Sequence, residues 1–124
     1  MPVDILQTHK LLATCEAELE AKYTVHKLHE AADRDALLAG LKERVRGIAG
    51  GHVSAQLMDK LPRLEIIANF GVGYDSSETG AAKARNIRVT NTPKVLNDAG
   101  AELTIGLMIA LARRIPQAHQ FFRD

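Results

Sequence analysis

The strongest constraint on the fold is an alternation of short apolar segments with longer segments of helical periodicity. Five short runs rich in aliphatic and β-branched residues lie at 3–7, 23–28, 46–49, 64–69 and 87–90, separated by four helix-like stretches. Strands that alternate with helices form βα units, and repeated βα units build a parallel sheet. Because crossovers between parallel strands are right-handed, the helices cover both faces of such a sheet.

For a chain of 124 residues, this pattern predicts one flavodoxin-like α/β sandwich with strand order 2-1-3-4-5. The run of Ile66, Ile67 and Ala68 predicts a strand that is buried on both faces. Asp33 and Ser54 are expected to cap the second and third helices, and Ser76 or Ser77 the fourth. The predicted inward-facing positions are Leu11, Cys15 and Leu19 in the first helix and Ala36, Leu37, Leu41 and Val45 in the second.

The composition excludes several classes of partner. A formal net charge of +1 and 4% aromatic residues leave no basic or stacking surface for nucleic acid. No apolar run reaches the roughly 18 residues that a membrane span requires. Cys15 is the single cysteine, so no internal disulfide can form, and a reducing, cytoplasmic location is expected.

The histidines do not form a pattern typical of a metal site. His9, His26, His29 and His52 fall in different kinds of element, and no cysteine or carboxylate lies at ligand spacing from them. No Ser/His/Asp arrangement indicates a nucleophile. We therefore expect no bound metal and no catalytic residue of these types.

The last segment differs from the rest because it is apolar around almost its whole circumference. A helix is predicted for residues 99–114, which include Leu103, Leu107 and Leu111. A helix without a polar face must be buried on all sides. One face could rest on the sheet, but the other requires a second domain or a second chain.

The segment from 64 to 76 passes from a strand into a turn with two glycines, Gly71 and Gly73. Three interpretations are open: a plain turn, a dinucleotide fingerprint, or backbone N–H groups of Val72 and Gly73 that bind a small carboxylate. The fingerprint should open the first βαβ unit, and the strand after it should end in an acidic residue. Here that strand ends at Thr90 and Asn91, which argues against a dinucleotide. His52, at the end of the third strand, is a weaker candidate for the same cleft.

Three segments resemble one protein family. Residues 61–75 (LPRLEIIANFGVGYD), 81–93 (AAKARNIRVTNTP) and 101–108 (AELTIGLM) are similar to the D-isomer-specific 2-hydroxyacid dehydrogenases, and within them to the glyoxylate/hydroxypyruvate reductases. The resemblance implies an NAD(P)-dependent oxidoreductase with two domains. The chain would be the N-terminal part of the substrate domain, with its core at 1–98 and, at 99–124, a helix that crosses toward the nucleotide-binding domain.

The resemblance also implies roles for individual residues. Gly71, Val72 and Gly73 would bind the substrate carboxylate, and Val72 and Thr104 would lie near NAD or NADP. The helix at 99–114 would form a homodimer. The family's nucleotide fingerprint and its catalytic Arg, Glu and His lie further along, so the isolated chain should bind a 2-keto acid weakly, bind no cofactor tightly and be inactive. The alternative is a stand-alone or engineered flavodoxin-like module, a homodimer with exchanged helices and no catalytic activity.

Overall fold

The computed structural model describes residues 2–75 and 77–123. Its contacts divide the chain into two compact units, Met1–Pro93 and Lys94–Asp124. The first unit contains a five-stranded parallel sheet in the order β2-β1-β3-β4-β5, which confirms the predicted topology. The strands are β1 (Asp4–Gln7), β2 (Thr24–Lys27), β3 (Val45–Gly50), β4 (Ile66–Asn69) and β5 (Arg88–Thr90). The helices between them are α1 (Ala13–Lys22), α2 (Arg34–Leu41), α3 (Ala55–Asp59) and α4 (Thr79–Ala84).

The larger part of the core unites the strands with α2, α3 and α4. Ile48 of β3 and Ile67 of β4 are 2% and 0% exposed. Burial of side chains of this size stabilises a fold by about 1.5–3 kcal/mol each. The helices contribute Leu38, Leu41, Met58 and Ala82 to the same cluster.

A smaller cluster lies against α1. Cys15 and Leu19 of α1 pack against Ile5 and Ala49, as the helical spacing predicts. Leu11 is buried in the same cluster, but it precedes α1, so its predicted place inside the helix is wrong. This cluster does not extend to β4: Ile66 is 38% exposed and Ala68 is exposed. The prediction that β4 is buried on both faces is therefore wrong, because successive side chains of a strand point to opposite faces and only one face of β4 is covered. An apolar groove of about 300 Å³ follows this open face, lined in part by Leu19, Tyr23, Gly47, Ile66 and Ala68.

The local helix signals were only partly right. Asp33 accepts a hydrogen bond from the Ala36 amide (3.0 Å), and Ser54 accepts one from the Leu57 amide (3.3 Å), so both predicted caps form. Two positions predicted to face inward from α2 differ. Ala36 is exposed. Val45 belongs to β3 instead of the helix, because α2 ends at Leu41. The residue before α4 is Glu78, and the Ser77 hydroxyl instead accepts a hydrogen bond from the Val53 amide (3.4 Å). Ser76 lies outside the described residues.

The second unit consists of α5 (Asn97–Ala112) and α6 (Ile115–Phe121). Arg114, with φ 52°, separates the two helices. Compared with the predicted helix at 99–114, α5 both begins and ends two residues earlier. None of the described residues of α5 is buried, and Leu103, Leu107 and Leu111 are 65%, 56% and 74% exposed. Among the described helices, none combines the length and the hydropathy that a membrane crossing requires.

Candidate functional site

The glycine loop, residues 70–75, follows β4 at the carboxyl edge of the sheet. Its first residue, Phe70, donates its amide to the Gly50 carbonyl at the end of β3 (3.1 Å). On the other side, the Thr92 amide donates to the Gly71 carbonyl (2.9 Å). The loop is thus bonded to the chain at the ends of both neighbouring strands. Ligands of open α/β sheets bind outside the carboxyl ends of the strands, where this loop lies.

Two asparagine side chains bond the carbonyl oxygens of the loop. Asn69, the last residue of β4, is 6% exposed, and its Nδ2 donates to the Gly73 carbonyl (2.8 Å) and more distantly to the Gly71 carbonyl (3.4 Å). Asn91 follows β5, and its Nδ2 donates to the Val72 carbonyl (2.7 Å). The contacts of these two asparagines were not predicted. The available signal was an amide side chain directly after the apolar part of two neighbouring strands.

Two amide N–H groups of the loop contrast with its hydrogen-bonded carbonyls. Within the described part of the chain, the N–H groups of Val72 and Gly73 have no hydrogen-bond acceptor. Val72 is half-buried and Gly73 is exposed. Two neighbouring unpaired N–H groups can bind an anion such as a carboxylate. A helix dipole does not act on this loop, because α4 begins only at Thr79 and the dipole acts within the first turn of a helix.

This loop does not fit a dinucleotide. In a dinucleotide-binding unit the glycine turn follows the first strand and leads directly into a helix N-terminus that holds the pyrophosphate. Here the turn follows the fourth strand, and five residues separate Gly73 from the first residue of α4. The next strand ends at Thr90, and neither Thr90 nor Asn91 could hold a ribose as an acidic residue does.

His52 lies beyond β3, in a backbone turn of unusual conformation. Its φ is 57°, its side chain is exposed, and its ring meets that of His9 edge-on with 6.2 Å between centroids. The fold therefore brings together the ends of β1 and β3, but neither imidazole donates to or accepts from the glycine loop within the described residues. In the same residues, no group of three His, Cys, Asp or Glu side chains could hold a metal ion.

Thr104 belongs to the second unit, on α5. Its hydroxyl donates to the Gly100 carbonyl one turn earlier (2.7 Å), a common arrangement for threonine inside a helix. Its proximity to a cofactor, like the role of His52, stays a prediction.

Hydrogen bonds and ion pairs elsewhere in the fold lower the pKa of several carboxyl groups. The carboxyl groups whose pKa lies below the usual value are those of Asp4, Glu16, Asp35 and Glu65, all outside the loop. The lowered pKa of Glu16 is caused first by the Leu11 amide that donates to it and then by the side chain of Gln7. The glycine loop, in contrast, offers a ligand the backbone N–H groups of Val72 and Gly73.

Known sequences that are similar to this chain are those of 2-hydroxyacid dehydrogenases. The family model for "D-isomer specific 2-hydroxyacid dehydrogenase, catalytic domain" matches residues 5–120. The glyoxylate/hydroxypyruvate reductase A of Arabidopsis thaliana is 34% identical over 125 residues, which cover 98% of this chain and 40% of that protein. A glyoxylate reductase of Thermococcus gammatolerans is 38% identical over 122 residues, covering 98% of this chain and 34% of that protein.

Solved structures agree in fold. A 2-hydroxyacid dehydrogenase from Ketogulonicigenium vulgare Y25 superimposes with a TM-score of 0.90 at 40% identity, over 99% of this chain and 40% of that one. An NADPH-dependent glyoxylate/hydroxypyruvate reductase from Sinorhizobium meliloti, solved in complex with NADP and malonate, gives a TM-score of 0.83 at 40% identity, over 99% of this chain and 38% of that one.

The chain spans 34–40% of the length of these relatives. The family model matches almost all of this chain, and both relatives are more than 30% identical to it in sequence. The five-stranded sheet in the order 2-1-3-4-5 is the fold of the matching dehydrogenase domain. The chain belongs to the D-isomer-specific 2-hydroxyacid dehydrogenase family.

Proposed function

We propose that this chain is the substrate-binding part of an NAD(P)H-dependent 2-hydroxyacid dehydrogenase that reduces 2-keto acids of the glyoxylate and hydroxypyruvate type. The observation that carries the proposal is the pair of N–H groups of Val72 and Gly73 at the carboxyl edge of the sheet, which have no acceptor among residues 2–75 and 77–123. Relatives named as glyoxylate or hydroxypyruvate reductases support the substrate class.

The two N–H groups would bind the substrate through its carboxylate. A hydrogen bond to a charged acceptor is about twice as strong as one between neutral groups, so a pair of amides suffices for recognition. Holding the carboxylate fixes the position of the adjacent keto carbon, which is the atom that a hydride must reach. The nicotinamide cofactor supplies that hydride when it is bound. The described residues form no dinucleotide site, so the cofactor would be held by another part of the enzyme. Val72 and Thr104 would at most touch that cofactor.

The same reasoning predicts that residues 1–124 alone do not catalyse the reduction. Binding a carboxylate provides orientation, but reduction of a keto group also needs a hydride donor and a proton donor. The resemblance places the family's catalytic Arg, Glu and His beyond the positions that this chain matches. We therefore expect weak carboxylate binding and no turnover from the 124-residue protein.

Nuclear magnetic resonance of the ¹⁵N-labelled 124-residue protein tests the proposal. Titration with glycolate, the 2-hydroxy acid that corresponds to glyoxylate, should shift the amide signals of Val72 and Gly73 in a saturable way. Glycolamide has the same shape without the charge and should leave them in place. Equal shifts with both compounds, or none with glycolate, would contradict carboxylate recognition. NADPH oxidation with glyoxylate by the pure chain would contradict the expected lack of turnover.

The exposed apolar surface of α5 supports a second proposal, a homodimer formed through this helix. Leu103, Leu107 and Leu111 recur at intervals of four residues, and each is more than half exposed. Monomeric proteins rarely expose apolar patches of this kind. Light scattering should show a dimer that the double substitution Leu107→Lys/Leu111→Lys dissociates, whereas Arg113→Lys, a change at the polar end of the helix, should not. A wild-type monomer at high micromolar concentration would exclude both this dimer and the exchange of helices in a stand-alone module.

A further inference from the structure

Three carbonyl groups of the glycine loop, those of Gly71, Val72 and Gly73, are bonded from the side of the sheet. The oxygen of Gly71 accepts from the Thr92 amide (2.9 Å), and that of Val72 from Asn91 Nδ2 (2.7 Å). The oxygen of Gly73 accepts from Asn69 Nδ2 (2.8 Å). Three consecutive carbonyls therefore have donors at the ends of β4 and β5, while the N–H groups of Val72 and Gly73 have no partner within the described residues.

Peptide geometry links these two facts. A trans peptide is planar, and its C=O and N–H bonds point in opposite directions. The carbonyl of Val72 and the N–H of Gly73 belong to the same peptide, so the bond from Asn91 also fixes the direction of the Gly73 N–H. In the same way, the bonds to the Gly71 carbonyl fix the direction of the Val72 N–H.

A turn that contains two glycines would not hold these directions by itself. Glycine is the residue with the widest choice of backbone conformation, so a Gly-Val-Gly segment loses considerable entropy when its peptides are fixed. If the segment were free, a ligand would have to pay this ordering cost on binding. Donors aimed in advance bind charge without that reorganisation.

We propose that Asn91 is a positioning residue of the carboxylate site, acting through the Val72–Gly73 peptide, with Asn69 in a supporting role at the next peptide. This inference rests on the proposed function, because it assigns the residue that aims the Gly73 amide rather than the amide itself. Neither asparagine is required to touch the ligand.

The test compares Asn91→Ala with Thr90→Ala in the ¹⁵N-labelled chain. Thr90 is an exposed neighbour on β5 whose side chain makes no hydrogen bond within the described residues. Asn91→Ala should raise the Kd for glycolate about fivefold, the equivalent of one hydrogen bond, and should reduce the glycolate-induced shift of Gly73 more than that of Val72. Val72 should be less affected because the Thr92 amide still holds the Gly71 carbonyl. Thr90→Ala should leave Kd and both shifts unchanged.

A second measurement does not depend on how well the variant folds. ¹⁵N relaxation of the unliganded wild-type protein should give Val72 and Gly73 order parameters close to those of β4, about 0.85. Flexible amides there, or an Asn91→Ala variant with wild-type affinity and an unchanged Gly73 shift, would overturn the positioning role while leaving carboxylate binding intact. The absence of any glycolate-specific shift in the wild-type chain would overturn both the proposed function and this inference.

Discussion

The two ends of the sheet are stabilised by different kinds of contact. At the amino end, charged side chains close the structure: Asp4 bonds His26 (2.7 Å) and Arg44 (2.8 Å), and Arg46 holds Glu65 through two hydrogen bonds (2.7 and 2.9 Å). Around the glycine loop, at the carboxyl end, backbone groups and asparagine side chains form the contacts, and the N–H groups of Val72 and Gly73 have no partner within the described residues. The amino end is therefore suited to stability, and the carboxyl end to binding.

The carboxyl end is itself divided. Where α2 and α3 begin there, the caps formed by Asp33 and Ser54 satisfy amides that would otherwise be free. At the glycine loop, the side chains of Asn69 and Asn91 bond carbonyls and leave amides free. At this edge, some side chains accept a hydrogen bond from a backbone N–H group, so that group is no longer available to a ligand. Others bond a carbonyl and thereby orient the N–H group of the same peptide toward a ligand.

The largest effect is expected from Gly50→Ala, which disrupts the carboxyl end beside the loop. Gly50 has φ +133°, and a Cβ there would collide with the Thr8 hydroxyl and come within 3.0 Å of His9 Nδ1. Thr8 cannot yield freely, because its hydroxyl bonds both the carbonyl (2.9 Å) and the amide (3.2 Å) of Gly51. We expect the free energy of unfolding in urea to fall by about 2–4 kcal/mol.

Gly40→Ala is the matched control for Gly50→Ala. Gly40 lies in α2, and a Cβ there would meet no atom within 4 Å. Alanine is favoured over glycine inside a helix by roughly 1 kcal/mol, so this variant should be as stable as the wild type or more stable. Equal free energies of unfolding for the two variants would show that the turn at Gly50 is not strained.

A smaller effect is expected from Ser54→Ala, which opens a capped position at the same edge. The Leu57 amide would lose its acceptor, and loss of a cap costs about 1 kcal/mol. Ser54→Asp keeps an acceptor oxygen and should retain most of the stability. Denaturant unfolding of the two variants measures the difference. Glycolate should not shift the Leu57 amide of Ser54→Ala as strongly as it shifts Gly73, since a single free amide does not make a carboxylate site.

Parts of this arrangement are readable from sequence because they depend on local patterns. The caps at Asp33 and Ser54 follow from residue type and helical spacing. The parallel sheet follows from repeated βα units, and the order 2-1-3-4-5 is the flavodoxin-like order chosen for a chain of this length. The exposure of Ile66 and Ala68 cannot be read from the sequence, because an apolar run has the same pattern whether one or two faces of the strand are covered. The contacts of Asn69 and Asn91 were also missed, since both depend on the conformation of the glycine loop, which residue types and strand order alone do not fix.

The smallest effect is expected at the amino end, from Asp4→Asn. The His26 hydrogen bond, followed by the charge of Arg44, lowers the pKa of Asp4 in the folded protein, although partial burial raises it. A carboxyl pKa that is lower folded than unfolded stabilises the fold above the unfolded value, about 3.9, and this contribution disappears as the pH falls through the folded pKa.

The wild type should therefore lose stability relative to Asp4→Asn as the pH falls from about 5 towards 3, by at most roughly 1 kcal/mol, as for other partly exposed ion pairs. Urea unfolding across that range measures the difference, and parallel curves for the two proteins would show that the pairing of Asp4 adds no stability. At neutral pH, Asp4→Asn should bind glycolate with wild-type affinity, because Asp4 lies at the opposite end of β1 from the ligand edge. A changed affinity would mean that the two ends of the sheet are coupled, and the division between a structural end and a binding end would no longer hold.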